Sequence, residues 1–237
     1  MGKVMYDKGH RNVVTMGWKY SAGEEAIGGF VDGFTEAGGK IMKQIWTPFP
    51  DVEFQANLTE IASLKPDGVF VFFAGGGAAK YVKDYDAAGL RRTIPLYGSG
   101  FLTDGVLQAQ GAAAEGLFTT LHYVEDLDNP VNRKFKDSFK AMTKRDGDVY
   151  AVQGYDTGLL LVQALEAVRG DIRAKNDIIK AMRGAKIDSP RGAWTFSHAH
   201  NPVQAFYLRV VKGGENRFVS VAQAALSDRG TGCRMTS

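Results

Sequence analysis

The first half of the chain switches repeatedly between two hydrophobic periods. Short runs of β-branched and aromatic residues have strand length. Each is followed by a Gly or Pro break and then by apolar positions three and four residues apart, the spacing of an amphipathic helix. Residues 12–16 (NVVTM) predict a buried strand, preceded by a short helix that Lys8-Gly9-His10 closes. Residues 22–36 predict a helix with Ala26, Ile27, Phe30, Val31 and Phe34 on one face, stopped by Gly38-Gly39. The unit then repeats. Strands are predicted over 40–46, 68–73, 94–97 and 116–123. Helices are predicted over 54–64, from Gly75-Gly76-Gly77 to Gly89, and over 106–109. The run at 68–73 (GVFVFF) is almost continuously apolar, as in a strand covered on both faces.

Strands alternating with helices at this spacing predict an α/β fold with a doubly wound parallel sheet. Ligands are expected beyond the carboxyl ends of such strands, which here are residues 17–20, 74–76 and 98–101. After Tyr123 the pattern changes. Residues 130–144, 150–169 and 174–185 predict three successive helices. Their apolar stripes are Phe135, Phe139 and Met142; Tyr155, Leu159, Val162 and Leu165; and Ile178, Ile179 and Met182. Strand character returns only at 194–196 and 204–211, around a turn at 198–202. The chain thus predicts one complete α/β lobe and a helical block lacking a sheet of its own to cover its stripes.

Composition adds exclusions. A 44% hydrophobic and 23% charged content is that of a folded chain. The net charge of +3 is spread without a basic run, so no nucleic-acid partner is expected, and Lys8, His10 and Arg11 predict only a solvated helix end. The single Cys233 can form neither an internal disulfide nor a multi-cysteine metal site. No apolar run approaches the roughly twenty residues that span a bilayer. The N-terminus has neither the apolar core nor the cleavage pattern of a signal peptide.

Motifs for chemistry are few. No Gly-Lys-Ser/Thr ending marks a nucleotide-binding loop. The contiguous Gly75-Gly76-Gly77 suit a tight strand-to-helix turn, or a cradle of amides for an anion or a carboxylate. Gly98-Ser99-Gly100 lacks the spacing of a nucleophile elbow, so Ser99 reads as a turn or ligand-lining residue. His198 and His200 lack carboxylate partners for a metal, and no carboxylate pair is placed for acid–base work. The chain is therefore expected not to be an enzyme and to need no cofactor or metal. Aromatic residues do gather at the strand ends: Trp18 and Tyr20 beyond the first strand, Phe72 and Phe73 as core, and Phe101 after the fourth.

The stretch 12–23 (NVVTMGWKYSAG) runs a strand into a Tyr-x-x-Gly turn. Gly29-Phe30, 34–39 (FTEAGG), Pro66-Asp67-Gly68-Val69, Gly89-Leu90 and 94–98 (IPLYG) follow in order. After these come Ala114-Glu115-Gly116, Asn129-Pro130, Gly154-Tyr155-Asp156, Ser189-Pro190-Arg191-Gly192 and His200-Asn201-Pro202. This ordered set, over almost the whole chain, resembles the type I periplasmic solute-binding proteins of ABC transporters, in the leucine/isoleucine/valine-binding family.

The resemblance implies two α/β lobes, joined by three crossovers, that close on a ligand. Residues 1–121 would form the second lobe, 122–199 the helical remainder of the first, and 200–237 the return strands and C-terminal tail. The first lobe's N-terminal segment and the signal peptide would be missing, making the chain a truncated member. Such a chain is expected to associate through its uncovered helical stripes. The implied role is the substrate-binding component of a transporter, holding a small organic solute for a membrane permease. The implied location is periplasmic, or cytoplasmic for the chain as written.

The ligand-binding candidates are Trp18, Tyr20, Ala74, Gly75, Ser99, Gly100 and Phe101. Tyr20 matches a tyrosine that contacts the ligand in the family's amino-acid binders. The acidic residue that holds the ammonium there has no counterpart in Gly98-Ser99-Gly100-Phe101. A branched-chain amino acid-like ligand is thereby disfavoured against an aromatic acid. Two other classes compete: a ligand-sensing effector domain of a regulator, which would need a helix-turn-helix or signalling domain, and an α/β enzyme, which would need an acid, a base or a cofactor loop at the strand ends.

Overall fold

The structure, a computed structural model, describes residues 1–235. Two compact units divide the chain, Met1–Leu121 with Leu208–Ala222, and His122–Tyr207 with the segment from Gln223.

The first unit alternates strands and helices: α1 (Gly2–Asp7), β1 (Asn12–Trp18), α2 (Ser21–Glu36), β2 (Lys40–Thr47), α3 (Gln55–Leu64), β3 (Gly68–Phe72), α4 (Gly75–Ala87), β4 (Leu96–Ser99), α5 (Leu107–Gln110) and β5 (Phe118–Leu121). The five strands pair in parallel in the order β2-β1-β3-β4-β5. Strand periodicity divides the core between the two faces of this sheet. Val14, Met16, Val69 and Val71 pack against Leu58, Ile61, Tyr81 and Tyr85 on one face. Val13, Phe70 and Phe72 pack against Met5, Ile27, Phe30 and Phe34 on the other.

Two further strands had different fates in the sequence. β7 (Pro202–Lys212) joins β5 through its later residues, close to the expected 204–211, and β8 (Glu215–Leu226), which pairs with β7, was not anticipated. Within β8's first eight residues only Asn216 is buried, so there is no alternation of buried apolar positions to read. The signal lay instead in Gly213-Gly214. Both take positive φ, 64° and 76°, as the two-residue turns of tight hairpins require.

One buried ion pair ties the far edge of this sheet to the loop after β4. Arg209 on β7 is 0% exposed, and its guanidinium meets Asp104 at 2.6 and 3.3 Å. It also donates to the Gly100 carbonyl at 3.2 Å and to Thr119 Oγ1 at 3.1 Å. Close by, Thr103 Oγ1 donates to Asn216 Oδ1 at 2.9 Å.

At the opposite, N-terminal end of the strands Lys8 and Arg11 are exposed just after α1, as a solvated helix end requires, and the cluster also meets aromatic rings. Lys8 lies over the Phe118 ring at 4.3 Å and Arg11 over Tyr6 at 3.9 Å, while His10 Nε2 shares a 2.8 Å hydrogen bond with Tyr97 Oη. Long cationic stems cover aromatic rings here, which composition alone cannot reveal.

The second unit carries α6 (Pro130–Thr143), α7 (Val149–Ala167), α8 (Lys175–Gly184) and the short β6 (Thr195–Phe196), antiparallel to the start of β7. Asn129 caps α6 by accepting from Asn132 N at 2.7 Å, with Pro130 in the first turn, and Asp148 caps α7 by accepting from Ala151 N. The expected stripe of α7 is corrected. Val162 is 54% exposed, and the buried positions are Val149, Val152, Asp156, Leu160 and Ala164. Asp156 is the reason. Its carboxylate accepts from Arg191 Nε at 2.7 Å, Ser189 Oγ at 2.9 Å and Trp194 Nε1 at 3.2 Å, so a charged residue occupies the inward face.

Replacing Arg209 by Met should destabilise the protein by about 3–5 kcal/mol, because Asp104 is left buried and unpaired. The double variant Arg209→Met/Asp104→Leu should recover part of that loss in urea denaturation; equal losses in both would show that the pair is not responsible. A second expectation concerns pH. Burial holds His10 below its usual 6.5, with Asp67 opposing that in part. The unfolded chain then binds a proton that the folded chain resists, so stability falls as pH drops through about 6.5. His10→Gln should flatten the urea midpoint's dependence between about pH 7.5 and 5.5.

Candidate functional site

The strand order reverses between β1 and β3: β2 lies to one side, and β4 and β5 lie to the other. The connections leaving these two strands therefore part to opposite faces of the sheet, opening a crevice at their carboxyl ends, where open α/β sheets bind ligands. Every candidate from the sequence lies at this end of β1, β3 or β4.

Trp18 is not beyond its strand but is the last residue of β1, and its side chain belongs to the core. Its Nε1–H donates to the Asp51 carbonyl at 2.7 Å, and its ring meets Phe49 and Phe73 edge-on, each at 5.2 Å. The indole fits only because residue 77 is glycine: a Cβ there would come within 2.3 Å of Trp18 Cζ2. Trp18 supports the floor of the crevice.

Tyr20 takes an extended backbone just before α2 and is half-buried. Its ring stacks on Phe49 at 4.8 Å and lies 6.3 Å from Phe72, which in turn meets Phe101 edge-on at 6.4 Å. A row of four rings, Phe49–Tyr20–Phe72–Phe101, therefore crosses the ends of β2, β1, β3 and β4. The sequence reading singled out two of them. Phe72 was grouped with them at the carboxyl edge and read as core, which it is, at 6% exposed; Phe49 was passed over in a loop, although an aromatic residue held between Pro48 and Pro50 is itself a signal.

Ala74, also extended, leads into α4, with Gly75 at φ 55° and both Gly75 and Gly76 exposed. The first amides of a helix lack partners within it and lie at the positive end of its dipole, so this turn offers N–H donors to a carboxylate. No acidic side chain occupies the first turn of α4 to compete for them. Ser99 ends β4, and its hydroxyl is buried without a hydrogen-bond partner. Gly100 is buried against Leu121, and its carbonyl is held by Arg209. Phe101 is half-buried beside it.

The electrostatics of this face follow from the ion pair behind it. Residues 98–101 carry no carboxylate, and the nearest in sequence, Asp104, is committed to Arg209. What remains is an uncharged wall of rings with a hydroxyl and backbone amides. Such a wall suits a flat apolar ligand bearing an acceptor group.

Trp18→Phe should lower stability by about 1–3 kcal/mol through the lost indole hydrogen bond and packing. A variant of unchanged denaturation midpoint would overturn its assignment as a supporting residue.

Comparison with known proteins gives concordant similarities. Residues 1–216 match the family described as periplasmic binding protein. The chain is 30% identical over 217 residues to the Leu/Ile/Val-binding protein homolog 6 of Brucella abortus (strain 2308), an alignment covering 89% of this chain and 55% of that protein. A solved solute binding protein of an ABC transporter from R. palustris, in complex with benzoate, is 51% identical with a TM-score of 0.92, covering 98% of this chain and 64% of that one. Another, from Rhodopseudomonas palustris BisB5 in complex with 3,4-dihydroxy benzoic acid, is 30% identical with a TM-score of 0.86, covering 97% and 65%. The chain spans about half the length of the curated relatives it matches.

Proposed function

The chain belongs to the periplasmic binding protein family, and on that premise we propose that it serves an ABC transporter as ligand-binding part of the solute-binding component, taking a small aromatic carboxylic acid. The observation that carries this reading is the uncharged ring-lined face at the ends of β1, β3 and β4. An amino acid would bring an α-ammonium to it, and a buried ammonium without a counter-charge is strongly disfavoured. Asp104 cannot supply that charge while Arg209 holds it. An aromatic acid needs only ring faces and donors. Tyr20 and Phe101 supply the faces, and the Ser99 hydroxyl and the Gly75 amide supply donors, with Ala74 and Gly100 shaping the backbone around them and Trp18 supporting them from below. The similarity to proteins solved with benzoate and with 3,4-dihydroxy benzoic acid supports the same ligand class.

On this reading residues 1–121 form one lobe of the receptor, 122–199 belong to the helical part of the other, and 200–237 supply the returning strands and tail. The loaded protein works in the periplasm and passes its ligand to a membrane permease.

Thermal unfolding with added ligand tests the proposal. A ligand that binds only the folded state at about a hundred times its Kd adds roughly 2.7 kcal/mol, or about 5–10 °C in midpoint for a chain of this size. Benzoate should produce such a rise and leucine should not, and Phe101→Ala should weaken benzoate about tenfold through loss of a ring contact. A rise with leucine and none with benzoate would overturn the proposal.

A further inference from the structure

A second hollow opens beside the crevice, over the ends of β1 and β2. It is lined by Lys19, Tyr20, Trp46, Thr47, Pro48 and Phe49, with a volume of about 540 Å³, which falls in the roughly 300–1,000 Å³ range of small-molecule sites. All six residues lie in the first unit. In the sheet order β2-β1-β3-β4, Ser99 and Phe101 sit two strand spacings from β1, or about 10 Å. The hollow therefore lies away from the Ser99–Phe101 end of the crevice, while sharing Tyr20 and Phe49 with its row of rings.

Three features of this hollow offer contacts to a ligand. Phe49 is 54% exposed while its ring stacks on Tyr20. Large rings are normally buried, and one held at the mouth of a concavity is a binding surface. Thr47 is only 4% exposed, yet its hydroxyl is buried without a hydrogen-bond partner. A buried, unsatisfied hydroxyl costs free energy that a ligand oxygen would return. Lys19 is exposed, its backbone N–H is fixed to the Thr47 carbonyl at 2.8 Å, and its ammonium forms no ion pair among the described residues. That backbone bond keeps the cation and the hydroxyl on neighbouring residues of paired strands.

We infer that this hollow is a second binding site for an aromatic carboxylate: the ligand ring packs against Phe49, Tyr20 and Trp46 while its carboxylate meets the Lys19 ammonium and the Thr47 hydroxyl. The site differs from the crevice in chemistry, since it holds a full positive charge where the crevice offers only amides and a hydroxyl. It binds weakly and exchanges rapidly, being open to solvent, and it concentrates aromatic acids next to the crevice. Tyr20 belongs to both places, so the inference adjoins the crevice reading, and Lys19, Trp46 and Thr47 are the residues that belong to the hollow alone.

Amide and indole NMR of the full chain during titration with sodium benzoate tests it. Trp46 is one of three tryptophans, so its indole N–H can be assigned with a Trp46→Phe variant. The Trp46 indole and the Lys19 and Thr47 amides should shift together and saturate, and acetate, which has no ring, should leave the indole unmoved. Lys19→Gln should raise the benzoate concentration for half-saturation of these signals about fivefold, the worth of one exposed ion pair. Phe49→Ala should weaken the response similarly by removing the ring face. The Ser99 and Gly100 amides report the crevice independently: their movement with a still Trp46 overturns this inference alone, and the converse overturns the crevice reading alone. A Trp46 response unaltered by Lys19→Gln also overturns the inference.

Discussion

The Arg209–Asp104 ion pair organises the first unit. A guanidinium and a carboxylate removed from water are tolerable only when their hydrogen-bonding capacity is met, and here the guanidinium meets both Asp104 oxygens, the Gly100 carbonyl and Thr119 Oγ1. Meeting that requirement forces β7 against β5 and draws the carbonyl of Gly100 toward Arg209. The turn carrying Ser99, Gly100 and Phe101 thereby gains a fixed position that its own short sequence could not specify. A loop of small residues is ordinarily mobile; this one is held from beneath by charge.

The same pair sets the chemistry of the site by removing charge from it. Asp104 lies in the loop where a carboxylate could face a ligand, and Arg209 takes it inward. The crevice is left with rings, amides and one hydroxyl. Aromatic packing then supplies rigidity: Trp18 fills the space that Gly77 leaves open, and the row of rings spans four strand ends. In the second unit Asp156 and Arg191 repeat the principle, a buried pair joining a helix to the segment before β6.

The parallel α/β order, the strand-end location of the candidate site and the helix boundaries of the second unit were legible in the sequence because each rests on local chemistry. Gly and Pro breaks, N-cap residues and two distinct hydrophobic periods act within a few residues of one another. The inward face of α7 was not legible. That helix is apolar nearly all round, and Asp156 looks like a solvent-facing residue until Arg191, thirty-five positions away, is brought to it. β8 failed for a related reason: it is a strand because β7 pairs with it, and its own side chains stay mostly in water.

For the site, the sequence alone determined which residue types stand at the strand ends, and that no carboxylate occurs among residues 98–101. Only the tertiary structure decided that Trp18 is support rather than surface, that Phe49 and Phe72 complete the row of rings, and that Asp104 is unavailable. The reason is physical. A residue's position along the chain follows from local conformational preference, but burial and partnership are pairwise properties of groups far apart in sequence, and they exist only once the sheet has brought β7 beside β5 and the loop after β2 beside Tyr20.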